Sequence, residues 1–173
     1  MTLDDEDDLP VRLMTATQEV TRALITAQAG RLLMLHAGAV SHPDTGATLV
    51  YVAPGGTGKT TLSRSLGLRF RYLTDETVAI DTAGRVHPYP KPLSTRPHDG
   101  IGPKVEVSPA ALRLRRTGAT PQVARVVLLD RQSVLTGAPE TVELGFMDAL
   151  FALVGQTSSL PALERPLHQL GGL

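Results

Sequence analysis

One segment constrains this chain more than any other: Ala53-Pro54-Gly55-Gly56-Thr57-Gly58-Lys59-Thr60. It matches the phosphate-loop pattern, with Ala53 in place of the usual first glycine. Such a loop works between a strand that aims it and a helix that adds the partial positive charge of its N-terminus. Both flanks read that way. Residues 47–53 (ATLVYVA) form an apolar, β-rich run of the buried-strand kind. Residues 59–66 read as a helix closed by Gly67. Within the loop, glycines let successive backbone N–H groups point at one phosphate chain. Lys59 reaches the β- and γ-phosphates as a point charge. The Thr60 hydroxyl supplies one oxygen to a Mg²⁺ that keeps most of its waters. Pro54, Gly55, Gly56, Thr57, Gly58, Lys59, Thr60 and Thr61 are therefore the expected nucleotide-binding residues.

The rest of the chain predicts an α/β domain around this motif. Its 173 residues suit one domain with a real core. Residues 1–10, with acidic side chains at every position from Asp4 to Asp8, read as a flexible acidic tail, and 11–173 as the single domain. Apolar spacing at Leu13, Val20, Ala23, Leu24 and Ala27 predicts a helix over 11–30. An apolar run over 31–40 predicts a strand, interrupted by His36. Residues 42–46 (HPDTG) read as a turn. Short strands are expected at 70–73 and 77–81, with 85–89 as a hairpin partner. Six prolines between 88 and 109 make that stretch a long irregular loop, either functional or merely structural. Residues 123–130 (VARVVLLD) read as a strong buried strand and 141–144 as a short one. Helices are expected at 146–156 and 161–170. The expected architecture is a mostly parallel or mixed central sheet flanked by helices.

Composition excludes several classes. With no cysteine, disulfides, thiolate metal sites and a cysteine nucleophile are ruled out, and a reducing compartment is the natural fit. No apolar run approaches the ~20 residues of a membrane span. The acidic start is unlike a secretory or transit peptide. A cytoplasmic protein with no membrane partner is expected. Basic and acidic side chains balance at 17 each, and aromatic interleaving for base stacking is missing, which argues against nucleic acid. Between 85 and 131 there are nine basic and three acidic residues. That excess suits either an anionic ligand or a solvated face.

Three further features carry chemistry. Asp75-Glu76 follows the short strand FRYL. Two adjacent carboxylates at a strand end can split their work, one holding Mg²⁺ and the other taking a proton from an attacking hydroxyl. Asp130, ending the run VVLLD, competes for the metal role. His36 is either a hydrogen-bonded core residue or part of a site. His42, His87, His98 and His168 show no metal-ligand spacing.

Leu35-His36-Ala37-Gly38, the loop from Pro54 to Thr60, and Leu73-Thr74-Asp75-Glu76-Thr77-Val78 together resemble the catalytic domain of the HPr kinase/phosphorylase family. The likeness spans about residues 32–90. It implies a phosphate-loop domain of the HPr-kinase type, with the active site at the carboxyl ends of its strands. It also implies ATP and Mg²⁺ as cofactors. By the same resemblance Lys59 and the loop amides bind phosphates, and Thr60 and Glu76 serve the metal. Asp75 activates an acceptor serine, and His36 stands beside the acidic site. The family typically has Asp-Asp where this chain has Asp75-Glu76, and its bifunctional members often carry Glu where Thr61 stands. The extra N-terminal domain of those members has no counterpart in these residues. Shorter relatives, often taken for serine kinases, sometimes accompany ribosomal-peptide biosynthesis genes, so a peptide or protein with a serine hydroxyl is the expected acceptor. The family tends to oligomerise, which makes a homo-oligomer the other expected partner. Two other readings of the motif stay open: a nucleotide-hydrolysing switch and a non-catalytic kinase-like binding module. Lys91, Arg96 and Lys104 of the proline-rich loop are candidates to cover the site or grip an acceptor.

Overall fold

A computed structural model describes residues 5–96, 104–131 and 138–173. The chain begins with a long helix, α1 (Asp5–Gln28). The expected tail boundary at residue 10 is therefore not where the helix starts; acidic residues at a helix N-terminus complement its dipole and extend it. Residues 1–4 of the expected tail lie outside the described residues. The helix also docks by a different face. Leu13, Val20 and Leu24 are exposed, whereas Thr21 is buried. Met14, Thr17, Ile25 and Gln28, at spacings of three and four from Thr21 or from each other, are half-buried and share its side of the helix.

The remaining elements are β1 (Leu33–Ser41), β2 (Ala47–Val52), α2 (Lys59–Leu66), β3 (Arg71–Thr74), β4 (Thr77–Ile80), β5 (Val86–His87), β6 (Leu93–Thr95), β7 (Val105–Val107), β8 (Gln122–Leu128), α3 (Phe146–Val154), β9 (Thr157–Ser158), a 3-10 turn (Leu160–Ala162) and α4 (Pro166–Gly171). The main sheet has seven strands in the order β5-β4-β1-β2-β8, with β3 and β9 also paired to β1. β6 and β7 form a separate pair.

The fold is mixed α/β and the sheet is mixed, the second of the two expected forms, but it is mostly antiparallel rather than mostly parallel. Among the described strands only β2 and β8 pair in parallel; β1 meets β2, β3, β4 and β9 antiparallel. For β1 and β2 the cause is connection length. A short turn closed by His42 N–H to Ala47 O (2.8 Å) and Gly46 N–H to His42 O (2.9 Å) joins β1 to β2, and tight turns reverse a chain. A parallel neighbour needs a crossover, as between β2 and β8.

β1 is the hub. All of its residues are buried except His36, which is half-buried. β2 and β3 both pair with Ala39–Ser41, so they occupy opposite edges. β4 and β9 both pair with Met34 and Leu35, again on opposite edges. Since β4 and β2 flank β1 in the sheet order, β3 and β4 line one edge end to end, and β2 and β9 the other. Both edges therefore change partner near His36–Gly38. A crevice forms where neighbouring strands part in this way. Beneath it, Leu35, Ala37, Val50, Val52, Leu73 and Val78 form part of an aliphatic core completed by Leu153, Leu163 and Leu170.

Other differences from expectation are local. No strand forms at 141–144, where the described backbone is irregular. The expected helix at 161–170 divides into the 3-10 turn and α4, because Pro166 lacks an N–H and starts a helix rather than continuing one. β9, two residues long, has no sequence pattern of its own. The proline-rich loop contains β6 and β7, and its residues 97–103 lie outside the described residues. Among the described residues no helix is long and apolar enough to cross a membrane.

Candidate functional site

The phosphate-loop motif lies between β2 and α2; it leaves the sheet after Val52, which pairs with Ala37, at the point where the edges of β1 change partner. Gly56 and Gly58 have φ of +83° and +108°, a region that side-chain-bearing residues rarely adopt. A Cβ added at Gly55 or Gly56 would meet no atom within 4 Å, so the loop stays open to a ligand. Gly58 caps α2 without a side-chain hydrogen bond, leaving the first-turn amides to face whatever occupies the loop. Thr57 Oγ1 donates to Pro54 O at 2.9 Å, closing the curl.

Lys59 is 7% exposed and braces the loop from inside. Its Nζ donates to Ala53 O at 2.5 Å and Pro54 O at 3.0 Å. Burial pushes its pKa down, against the opposing pull of Asp75 and Glu76. The ammonium is thus held by two loop carbonyls and feels the charge of two nearby carboxylates.

The acid pair occupies the break between β3 and β4. Buried Thr74 makes the turn, its Oγ1 accepting from the N–H of Glu76 (3.3 Å) and Thr77 (3.4 Å). Ala37 N–H donates to Glu76 O at 3.1 Å and pins the turn to β1. The two carboxylates then diverge. Asp75 is buried; its Oδ2 accepts from the Thr60 hydroxyl at 2.8 Å, and its Oδ1 from the Tyr72 hydroxyl at 3.1 Å. Burial and the adjacent Asp75 push the Tyr72 pKa far up, so this phenol stays a donor. The Glu76 side chain is one-third exposed. Lys91 Nζ bridges the pair, 3.4 Å from Asp75 Oδ1 and 3.2 Å from Glu76 Oε2.

His36 stands beside them. Burial, then the nearby Lys59 charge, lower its pKa, and these outweigh the carboxylates and a hydrogen bond to the Glu76 backbone. A neutral imidazole therefore faces the acids. His36 and Glu76 also line a cavity of about 290 Å³ walled by Gln18, Thr21 and Arg22 of α1 and by Ser158. The larger cavity, about 490 Å³, lies between Ile80, Asp81 and α4 and shares no residue with this site.

The structure thus brings Lys59, Thr60, His36, Asp75 and Glu76 together at the end of the loop, whereas Thr61, also expected to bind nucleotide, is exposed on α2. Asp130 emerges beside the loop, because β8 runs parallel to β2 and Leu129 N–H donates to Val52 O at 2.8 Å; its side chain is exposed. Sequence reasoning missed two participants, Tyr72 and Arg131, and gave Lys91 a different role. Tyr72 and Lys91 both engage Asp75. Arg131 Nη1 lies 3.8 Å from where a Gly58 Cβ would stand. A parallel β2–β8 pair was the signal for Arg131, since it must deliver the residues after β8 to the loop. Lys91 was expected to cover the site or grip an acceptor; the structure instead buries it against Asp75 and Glu76.

Among the described residues no three His, Cys, Asp or Glu side chains converge to hold a metal. A cation here would be shared between Thr60, one carboxylate and ligand phosphates, the usual arrangement for Mg²⁺. No protein-family model matches the chain, and no curated protein matches it either.

Proposed function

We propose that the chain is an ATP- and Mg²⁺-dependent kinase that transfers the γ-phosphoryl group to a serine hydroxyl of a peptide or protein, in the manner of HPr kinase-like enzymes. The observation that carries this reading is the 2.8 Å hydrogen bond from Thr60 to Asp75, beside a loop left open to a ligand. It sets the motif's hydroxyl against a buried carboxylate, which is the donor set for a phosphate-bound Mg²⁺. A bare glycine turn has no need of it.

Bound ATP and Mg²⁺ supply an electrophilic phosphoryl group with its charge neutralised. The protein's part is positioning and electrostatics. Loop amides, the start of α2 and Lys59 hold the phosphates. Thr60 and Asp75 hold the metal side. Glu76, partly exposed to the smaller cavity, faces the acceptor. This arrangement favours exchanging the roles that the resemblance implies, because both Asp75 oxygens are already engaged and Glu76 is the accessible carboxylate. The serine Oγ–P bond forms, the bond from Pγ to the bridging oxygen breaks, and the hydroxyl proton passes to Glu76. Neutral His36 completes the cavity wall.

The test is a calorimetric titration with ATP, with and without Mg²⁺, on the wild type and Lys59→Ala. Micromolar, Mg²⁺-dependent binding that Lys59→Ala abolishes is expected. A folded wild type that binds no nucleotide would overturn the proposal.

A further inference from the structure

Lys91 is buried, with 4% of its side chain exposed. Its position across Asp75 and Glu76 is held by more than charge. The Lys91 N–H donates to Tyr89 O at 2.8 Å, and Nζ donates to Pro92 O at 2.9 Å. The Tyr72 hydroxyl lies 3.3 Å from Lys91 O and 3.1 Å from Asp75 Oδ1, one proton between two acceptors. Tyr89 in turn is tied to the sheet through its N–H to Leu73 O (3.0 Å) and to α1 through a 3.1 Å hydroxyl contact with Thr21. Glu106 adds a third negative charge near the ammonium, and its Oε2 is buried without a hydrogen-bond partner.

We propose that Lys91 is a built-in cation standing in place of a second divalent ion, so that the site takes one metal per nucleotide. This rests on the nucleotide-and-metal reading above and specifies its metal count. Adjacent carboxylates at a buried site require positive charge around them. Kinases with paired acidic and amide ligands meet that need with two Mg²⁺. Here the two faces of Asp75 are divided: Oδ2 goes to Thr60, the metal side, and Oδ1 to the ammonium. Glu76 Oε2 is also on the ammonium. A second ion would have to evict a buried lysine whose backbone is pinned on both sides. The acids gather around a lysine nitrogen rather than around a point where three of them could ligate a metal. Lys91 is thus a positioning residue, and it is not free to cover the site or grip an acceptor.

The experiment is a Mn²⁺ titration of the full chain, read by electron paramagnetic resonance of free Mn²⁺, with saturating non-hydrolysable ATP analogue. Calorimetry with the analogue alone is run beside it. One Mn²⁺ per chain is expected for wild type, two for Lys91→Met, and one again for Lys91→Arg, which restores the charge. Two ions in wild type, or one in both wild type and Lys91→Met, would overturn the inference. If Lys91→Met does not fold, the wild-type count decides alone. No analogue binding by the wild type would instead overturn the nucleotide reading on which this one stands, and calorimetry distinguishes the two failures.

Discussion

Gly38 is the position at which a single methyl group should do most damage. Its φ is not in the left-handed region, so any penalty is steric. It faces Tyr51 across the β1–β2 pair. A Cβ at residue 38 would overlap Tyr51 Cε2 and stand 2.6 Å from Cζ and 2.8 Å from the hydroxyl. Tyr51 is fully buried, and its hydroxyl is bonded to Ser63 Oγ of α2 at 2.5 Å. The ring must move. Overpacking costs about 1–3 kcal/mol. Loss of the buried Tyr51–Ser63 bond adds about 1–3 kcal/mol. Alanine for glycine returns about 0.4–1 kcal/mol through the unfolded chain. Gly38→Ala should thus destabilise by about 1–5 kcal/mol, centred near 3, which for a chain of this size lowers Tm by about 6–12 °C. Urea unfolding gives the number, and the Tyr51→Leu background gives the cause. With the ring gone, Gly38→Ala should cost nothing further. A Gly38→Ala protein within about 0.5 kcal/mol of wild type, or an equal loss in both backgrounds, would refute the reasoning.

The two acids should separate in kinetics. Asp75→Asn should weaken Mg²⁺-dependent ATP binding by about tenfold or more, while Glu76→Gln should keep binding and lose transfer by about 10²–10⁴-fold, the usual worth of a general base; calorimetry and single-turnover transfer check both, and the reverse pattern returns the base role to Asp75. Asp81 gives a pH prediction. Burial alone would raise its pKa, but the N–H groups of Arg85 and Ala83, then His87 and Arg85, bring it below the ordinary value of 3.8. A carboxylate lowered by folding stabilises above its unfolded pKa, and that contribution is lost as pH falls through the folded one. Wild type should therefore lose more stability than Asp81→Asn between about pH 5 and about pH 2; parallel urea midpoints across that range would count against it.

The site was more legible than the sheet. A phosphate loop and an acid pair are local patterns, and each residue type at each spacing has a chemical reason. α2 falls at Lys59–Leu66, as its motif and Gly67 predict. Strand direction is not local. The runs at 33–41, 47–52 and 71–80 look alike in composition whether they pair parallel or antiparallel, and only the short turn between the first two announces a direction. α1 shows the opposite failure. Its apolar spacing pointed to one face, yet the helix docks through Thr21 and Tyr89, because the surface it meets is the polar rim of the site. The role of Lys91 was misjudged for a similar reason: among prolines a lysine reads as a grip for an acceptor, and nothing in its neighbours announces the carboxylates brought from 75, 76 and 106.

Because β1 is paired along both edges, its amides have no route to solvent short of parting the sheet. Hydrogen exchange at Leu35, Ala37 and Ala39 should report global unfolding, while α1, largely exposed along its length, opens on its own. Substitutions on the exposed face of α1 are therefore tolerable, and substitutions in β1 are ruinous. The floor of the candidate site and the foldedness of the protein form one cooperative unit, and a chain built this way can change its α1 face far more readily than that floor.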